Sequence, residues 1–160
     1  MATHNWFECK IRYEKTLENG MNKKVTEPYL VDALSFTEAE ARIIEEMTPF
    51  ISGEFTVSDI KRANYSELFP SDEEAADRWF KCKLYFITLD EKSGAEKKTA
   101  TQILVQASDL RDAVKKLDEG MKGTMADYTI ASVAETAIMD VYPYSAEPDV
   151  KSEFPDADKR

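Results

Sequence analysis

The chain has 160 residues, 42% apolar and 11% aromatic, enough for a packed core in one domain or two small ones, so global disorder is excluded. Its net charge of −10, from 31 acids against 21 bases, argues against a general duplex-DNA binder. No run approaches the ~18 apolar residues of a membrane span, two cysteines are too few for a disulfide scaffold, and MATHNWFECK has no basic or apolar leader pattern, so the expected location is cytoplasmic.

Residues 6–13, WFECKIRY, alternate Phe7, Cys9, Ile11 and Tyr13 with Trp6, Glu8, Lys10 and Arg12, the period-2 pattern of a half-buried strand. The turn ENGMNKK (18–24) carries a glycine suited to positive φ, and a return strand centres on Tyr29-Leu30-Val31. Pro28 lacks an N–H, so this strand is expected to start late or lie at an edge. Ser35 with Glu38 forms a capping box ahead of a helix whose apolar stripe is Phe36, Ala39, Ile43 and Met47, ending at Thr48-Pro49. A third strand is predicted over 54–60 and a short fourth before Pro70. The stretch SDEEAADR (71–78) reads as an acidic linker.

The chain then repeats itself at an offset of 73 or 74 residues. WFKCKLYF (79–86) matches WFECKIRY, EKSGAEKK (91–98) is the second turn, and ILVQA (103–107) matches YLVDA. Ser108 or Asp109 starts a second helix with Leu110, Ala113, Val114, Leu117 and Met121 on one face, closed by Gly120 and Gly123. DYTIASV (127–133) matches EFTVSDI, and Val141-Tyr142-Pro143 matches Leu68-Phe69-Pro70. The pattern predicts an α+β fold of tandem duplicated ββαβ(β) units, with antiparallel sheet and helices packed on one face. The expected divisions are a first repeat over 5–70, the linker 71–78, a second repeat over 79–144, and a flexible acidic tail over 145–160.

Chemistry for an enzyme is missing from the pattern. His4 is the only histidine, and no nucleophile elbow, phosphate-binding loop or dinucleotide fingerprint occurs, so a non-enzymatic protein without cofactor is expected. Two cysteines and one histidine fall short of a four-ligand zinc site, and no metal is expected. Cys9 and Cys82 fall on the apolar side of their strands and are expected in the core.

The other side carries Trp6, Lys10 and Arg12 in the first repeat and Trp79, Lys81, Lys83 and Tyr85 in the second. Aromatics between cations suit single-stranded nucleic acid, with rings stacking on bases and cations following phosphates. Lys23, Lys24, Lys97 and Lys98 would extend that track. The same face equally suits a protein-interaction or adaptor module, including one that pairs two copies of the chain, or simple solvation with the tryptophans half-buried. A third reading, an acidic nucleic-acid mimic, would require the acids of 38–46 and 71–77 to line up at phosphate-like spacing.

The segments VTEPYLVDALSFTEAEARIIEEM, GEFTVSDIKRA and KKTATQILVQASDL, with the closing Pro143-Tyr144, resemble an uncharacterised family of short acidic proteins from gut Bacteroidetes and their phages, known only as a domain of unknown function. The resemblance spans about residues 5–144 and brings no catalytic residues with it. It implies a phage or mobile-element setting, where accessory proteins often serve DNA replication or host takeover.

Overall fold

A computed structural model describes residues 4–144; the expected tail at 145–160 lies outside the described residues. It is a mixed α+β protein, mostly strands, whose ten elements form two four-stranded sheets and two helices. The described residues divide into two compact units, one built from residues 4–63 together with 140–144, the other from Asn64–Met139.

In the first unit, β1 (Trp6–Thr16) and β2 (Asn22–Asp32) form a long antiparallel hairpin, and β3 (Phe55–Ala63) pairs with the other edge of β1. The turn between the hairpin strands holds Gly20 at φ 84, a left-handed value that only glycine takes without strain. Pro28 stands inside β2 rather than before it. The amide of Leu30 points away from β1, donating to the Asp140 carbonyl at 3.0 Å, so by alternation the missing N–H of Pro28 also faces away from β1. The imino acid therefore costs the β1–β2 ladder nothing.

Helix α1 (Phe36–Met47) follows, capped as its sequence predicts: Ser35 Oγ accepts from the Glu38 amide at 3.1 Å. The Glu38 carboxylate reaches one residue further back than in an ordinary capping box and accepts from the Leu34 amide at 2.6 Å. Ala39, Ile43 and Met47 are buried in one cluster with Phe7, Cys9, Ile11, Val31 and Ala33. That is the strand face read from period 2 and the helix stripe read from period 3.6, except for Phe36, which is 49% exposed.

The second unit follows the same plan with β5 (Arg78–Leu89), β6 (Glu96–Ala107), α2 (Leu110–Gly120) and β7 (Asp127–Glu135). Asp109 is the N-cap, its carboxylate accepting from the Asp112 amide at 2.8 Å, and Asp112 reaches back to the Ser108 amide at 2.9 Å. Cys82, Leu84, Ile103, Val105, Leu117 and Met121 form its main cluster, with Phe80, Ala107 and Ala113 beside it. Register shifts fall between Lys10 and Ile11 against β3, and between Lys83 and Leu84 against β7, the same place in both units.

Topology departs from the sequence reading at the short fourth strands. β4 (Glu67–Phe69), at the end of the stretch expected as the first repeat, pairs parallel with β6; β8 (Val141–Tyr142), at the end of the stretch expected as the second, pairs parallel with β2. The sheet orders are β3-β1-β2-β8 and β4-β6-β5-β7, so each sheet takes one edge strand from a stretch remote in sequence from its other three. The stretch expected as a linker is likewise engaged: Ala76 is buried, and Arg78 already belongs to β5.

Candidate ligand-binding face

Residues directly opposite one another on a ladder share a face, so the register lays out the face away from each helix row by row. On the first sheet, Trp6 lies between Asp32 and Ala63, Glu8 between Leu30 and Lys61, Lys10 between Pro28 and Asp59, and Arg12 between Thr26 and Thr56. On the second, Trp79 faces Gln106, Lys81 lies between Leu104 and Ala134, Lys83 between Gln102 and Ser132, and Tyr85 between Ala100 and Thr129. Lys98 pairs with Ile87 in the next row, where Asp127 is the only carboxylate.

Burial corrects part of the expected face. Trp6 and Trp79 are only 3% and 4% exposed, so neither indole is an open surface for a base. The physical reason is area: an indole of ~200 Å², at ~25 cal/mol per Å², gains as much as ~5 kcal/mol by leaving water. Trp6 also stacks on His4, with ring centroids 5.0 Å apart. Arg12 and Lys81 are exposed, while Lys10, Lys83 and Tyr85 are half-buried. Lys23, Lys24, Lys97 and Lys98 are all exposed. The Lys83 ammonium sits 5.4 Å from the centroid of the Tyr85 ring, a cation–π distance.

Both thiols are core groups. Burial pushes Cys9 up to about 12, with Glu8 adding to it, and burial alone pushes Cys82 up to about 11, so neither presents a thiolate near neutrality. Among the described residues, no cluster of three or more His, Cys, Asp or Glu is placed to hold a metal ion. No helix among them is long and apolar enough to cross a membrane.

Sequence reasoning missed the clefts that receive the exchanged strands. Phe69 of β4 lies against Gly120, where a Cβ would stand 2.5 Å from the ring. Lys116 of α2 donates to Ser71 at 3.0 Å and to Glu73 at 2.8 Å, and pairs with Asp112 at 3.1 Å. Phe69, Ser71, Glu73, Lys116 and Gly120 line a cleft of about 740 Å³. Burial alone would lower Lys116, but its bonds to Glu73 and Asp112 outweigh that and raise it. In the first unit Tyr142 of β8 stacks on Tyr29, with centroids 6.2 Å apart, and Arg42 of α1 donates to the Pro143 carbonyl at 3.4 Å. The Arg42 guanidinium also lies 4.7 Å from the Tyr144 ring centroid, and the Tyr144 hydroxyl donates to Glu38. Glu38 and Glu73, from the two acidic stretches, are thus each engaged with groups of the chain itself, Glu73 while remaining exposed. The only early signal was the Pro that ends each short strand, which marks a ladder's end without saying whose ladder.

No curated protein and no solved structure matches the chain. A family model does, over residues 5–144, and the chain belongs to that family, described as a domain of unknown function (DUF4494).

Proposed function

We propose that the chain is a non-enzymatic, cytoplasmic binding protein whose second sheet receives the phosphate backbone of single-stranded DNA or RNA. The observation supporting this reading is the carboxylate-free run of Lys81, Lys83 and Tyr85 with their ladder partners, extended by Lys98. With both indoles buried, one half-buried tyrosine is left for stacking at ~1–3 kcal/mol, so binding is weak and mostly electrostatic. The near-identical plans of the two units favour descent from one ββαβ ancestor by duplication, with each helix on the face opposite the ligand. A phage or mobile-element accessory role fits such a ligand.

The test is the anisotropy of a labelled oligo-dT at about 50 and about 200 mM salt. Three lysines at ~0.7 counterions each predict a slope of log K against log salt near about −2. Lys81→Glu with Lys83→Glu should abolish binding while leaving the circular dichroism unchanged. An absence of binding by the native chain at low salt would end this reading.

A second reading, a protein-interaction module, is favoured by a different feature. β7 is an edge strand whose residues 128–134 carry no charge, whereas β3 has Asp59, Lys61 and Arg62 at its edge. Charges blunt an edge against pairing, and an uncharged edge accepts an added strand. Ser132→Lys should then release a co-purifying partner that Lys81→Glu leaves bound; retention of the partner by Ser132→Lys counts against the edge.

A further inference from the structure

The two units pack the helix side of their sheets differently beside the short parallel strands. In the first unit the chain's own polar aromatics occupy that place. The Tyr13 hydroxyl donates to Glu27 at 2.8 Å, the Tyr29 hydroxyl donates to the same carboxylate oxygen at 3.4 Å, and Tyr142 stacks on Tyr29. Register fixes the counterparts in the second unit. Glu27 faces Ile11 and Tyr29 faces Cys9, as Thr101 faces Leu84 and Ile103 faces Cys82. At an offset of 73 or 74 residues, Tyr13 corresponds to Phe86, Glu46 to Gly120 and Tyr142 to Phe69. Each exchange shortens the side chain. The second unit has a cavity of about 330 Å³ there, lined by Phe86, Thr101, Ile103, Gly120, Met121 and Ser66 with Glu67 and Thr124. Ile103 and Met121 are buried, so the cavity reaches the core, and Ser66 and Gly120 are exposed, which leaves an entrance.

We propose that this cavity binds a small neutral phenol, whose ring takes the room given up at the Tyr29 position and whose hydroxyl donates to Thr101 as Tyr29 donates to Glu27. The hydroxyls fix that direction. Ser66 Oγ donates to the Gln102 carbonyl at 3.1 Å, so the hydrogen across the 2.7 Å gap between Ser66 Oγ and Thr101 Oγ1 belongs to Thr101. The lone pairs of Thr101 remain to accept, and a ligand that donates satisfies them. Ligand pockets run from about 300 to about 1,000 Å³, so a cavity at the lower end takes one ring and not a nucleotide. Phe86, Ile103 and Met121 supply the apolar wall that a ring requires. The Glu67 carboxylate in the lining disfavours an acid of the same size. The cavity lies on the side of the second sheet away from Lys81 and Lys83, so it is independent of the nucleic-acid face.

Methyl NMR of the full chain, following Ile103 and Met121, tests the site with p-cresol, toluene and p-toluate as probes. p-Cresol should saturate with a Kd of about 0.1 mM, toluene should bind about tenfold more weakly, and p-toluate should not bind. Thr101→Val should remove the advantage of p-cresol over toluene and leave toluene binding unchanged. Thr101→Glu with Ile103→Tyr copies the first unit's pair and should abolish binding of both. Shifts that stay linear with p-cresol up to about 5 mM overturn the site. Toluene or p-toluate binding as tightly as p-cresol overturns the phenol. Should the double variant fail to fold, Thr101→Val decides alone, and an unchanged preference for p-cresol overturns the Thr101 contact.

Discussion

The two sheets share register, bulge position and caps, yet their faces away from the helices differ in charge. Where the first sheet has Glu8, Lys10 and Arg12, the second has Lys81, Lys83 and Tyr85; where β3 has Asp59 and Lys61, β7 has Ser132 and Ala134. Opposite charges face each other across the first ladder, Glu8 with Lys61 and Lys10 with Asp59, so that surface is internally compensated. The second leaves its lysines unanswered through three rows. One backbone plan thus carries a charge-matched face and a face whose lysines have no carboxylate in their rows, and the proposed ligand-binding role rests on the second.

The largest effects should come where the two units are alike. Phe7 and Phe80 hold equivalent core positions at 0% and 2% exposure. Truncating either to alanine is expected to cost about 3–5 kcal/mol in urea unfolding, since a phenyl-sized cavity cannot close. A cost near zero for one alone would break the equivalence of the two cores.

Next come the clefts, where the units differ in how they seat the exchanged strand. Gly120→Ala would push a methyl into the Phe69 ring, and overpacking of that kind costs about 1–3 kcal/mol. The equivalent position on α1 is Glu46, half-buried, whose charge helps to raise the Tyr142 phenol; it already carries a Cβ, so Glu46→Ala overpacks nothing and should stay within about 0.5 kcal/mol. Equal losses in chemical denaturation would mean that the Phe69 contact is not what fixes β4.

The charge contrast can be moved from one sheet to the other. Lys10→Glu should leave oligo-dT binding unchanged, whereas Lys83→Glu should weaken it about tenfold, or about 1.4 kcal/mol. Glu8→Lys with Asp59→Ser copies the second sheet's charges onto the first and should raise affinity. If the copied face gains nothing, the lysines need Tyr85 beside them, and Arg12→Tyr added to the pair is the sharper variant.

Much of this scaffold was legible because its signals are local. Alternation placed Cys9 and Cys82 in the core, Ser35 and Asp109 capped the helices they precede, and spacing picked out Ala39, Ile43 and Met47, and Ala113, Leu117 and Met121, though Phe36 and Leu110 at the start of each stripe are exposed. Pairing of β4 and β8 was not legible, because a short apolar run before a proline says that a strand ends and not which edge it joins. Trp6 and Trp79 fell to the outer face by alternation, but alternation does not say whether an outer face is covered. Pro28 does not delay the strand, but the expected edge holds locally, since β8 pairs only with Leu30 and Val31; which side of β2 is the open one is known only once Leu30 is seen bonded to Asp140.

The smallest effects are expected at the helix starts, where they separate the two clefts by pH. Glu38 and Asp112 each accept from the amide before the N-cap, and both are held below the usual carboxylate range. The largest cause differs: the Tyr144 hydroxyl for Glu38, the Ser108 amide for Asp112. A carboxyl lowered in the folded chain stabilises fully above its unfolded value and loses that contribution as pH falls through the lowered one. Tyr144→Phe should therefore raise Glu38 toward its ordinary value in a carboxyl NMR titration, so that its contribution fades at higher pH. Asp112 is held by the Ser108 amide and by Lys116 and should titrate unchanged. If both carboxyls move together, the Tyr144 contact is not local to the β8 cleft; if neither moves, the Leu34 amide alone holds Glu38 and the two helix starts are electrostatically the same.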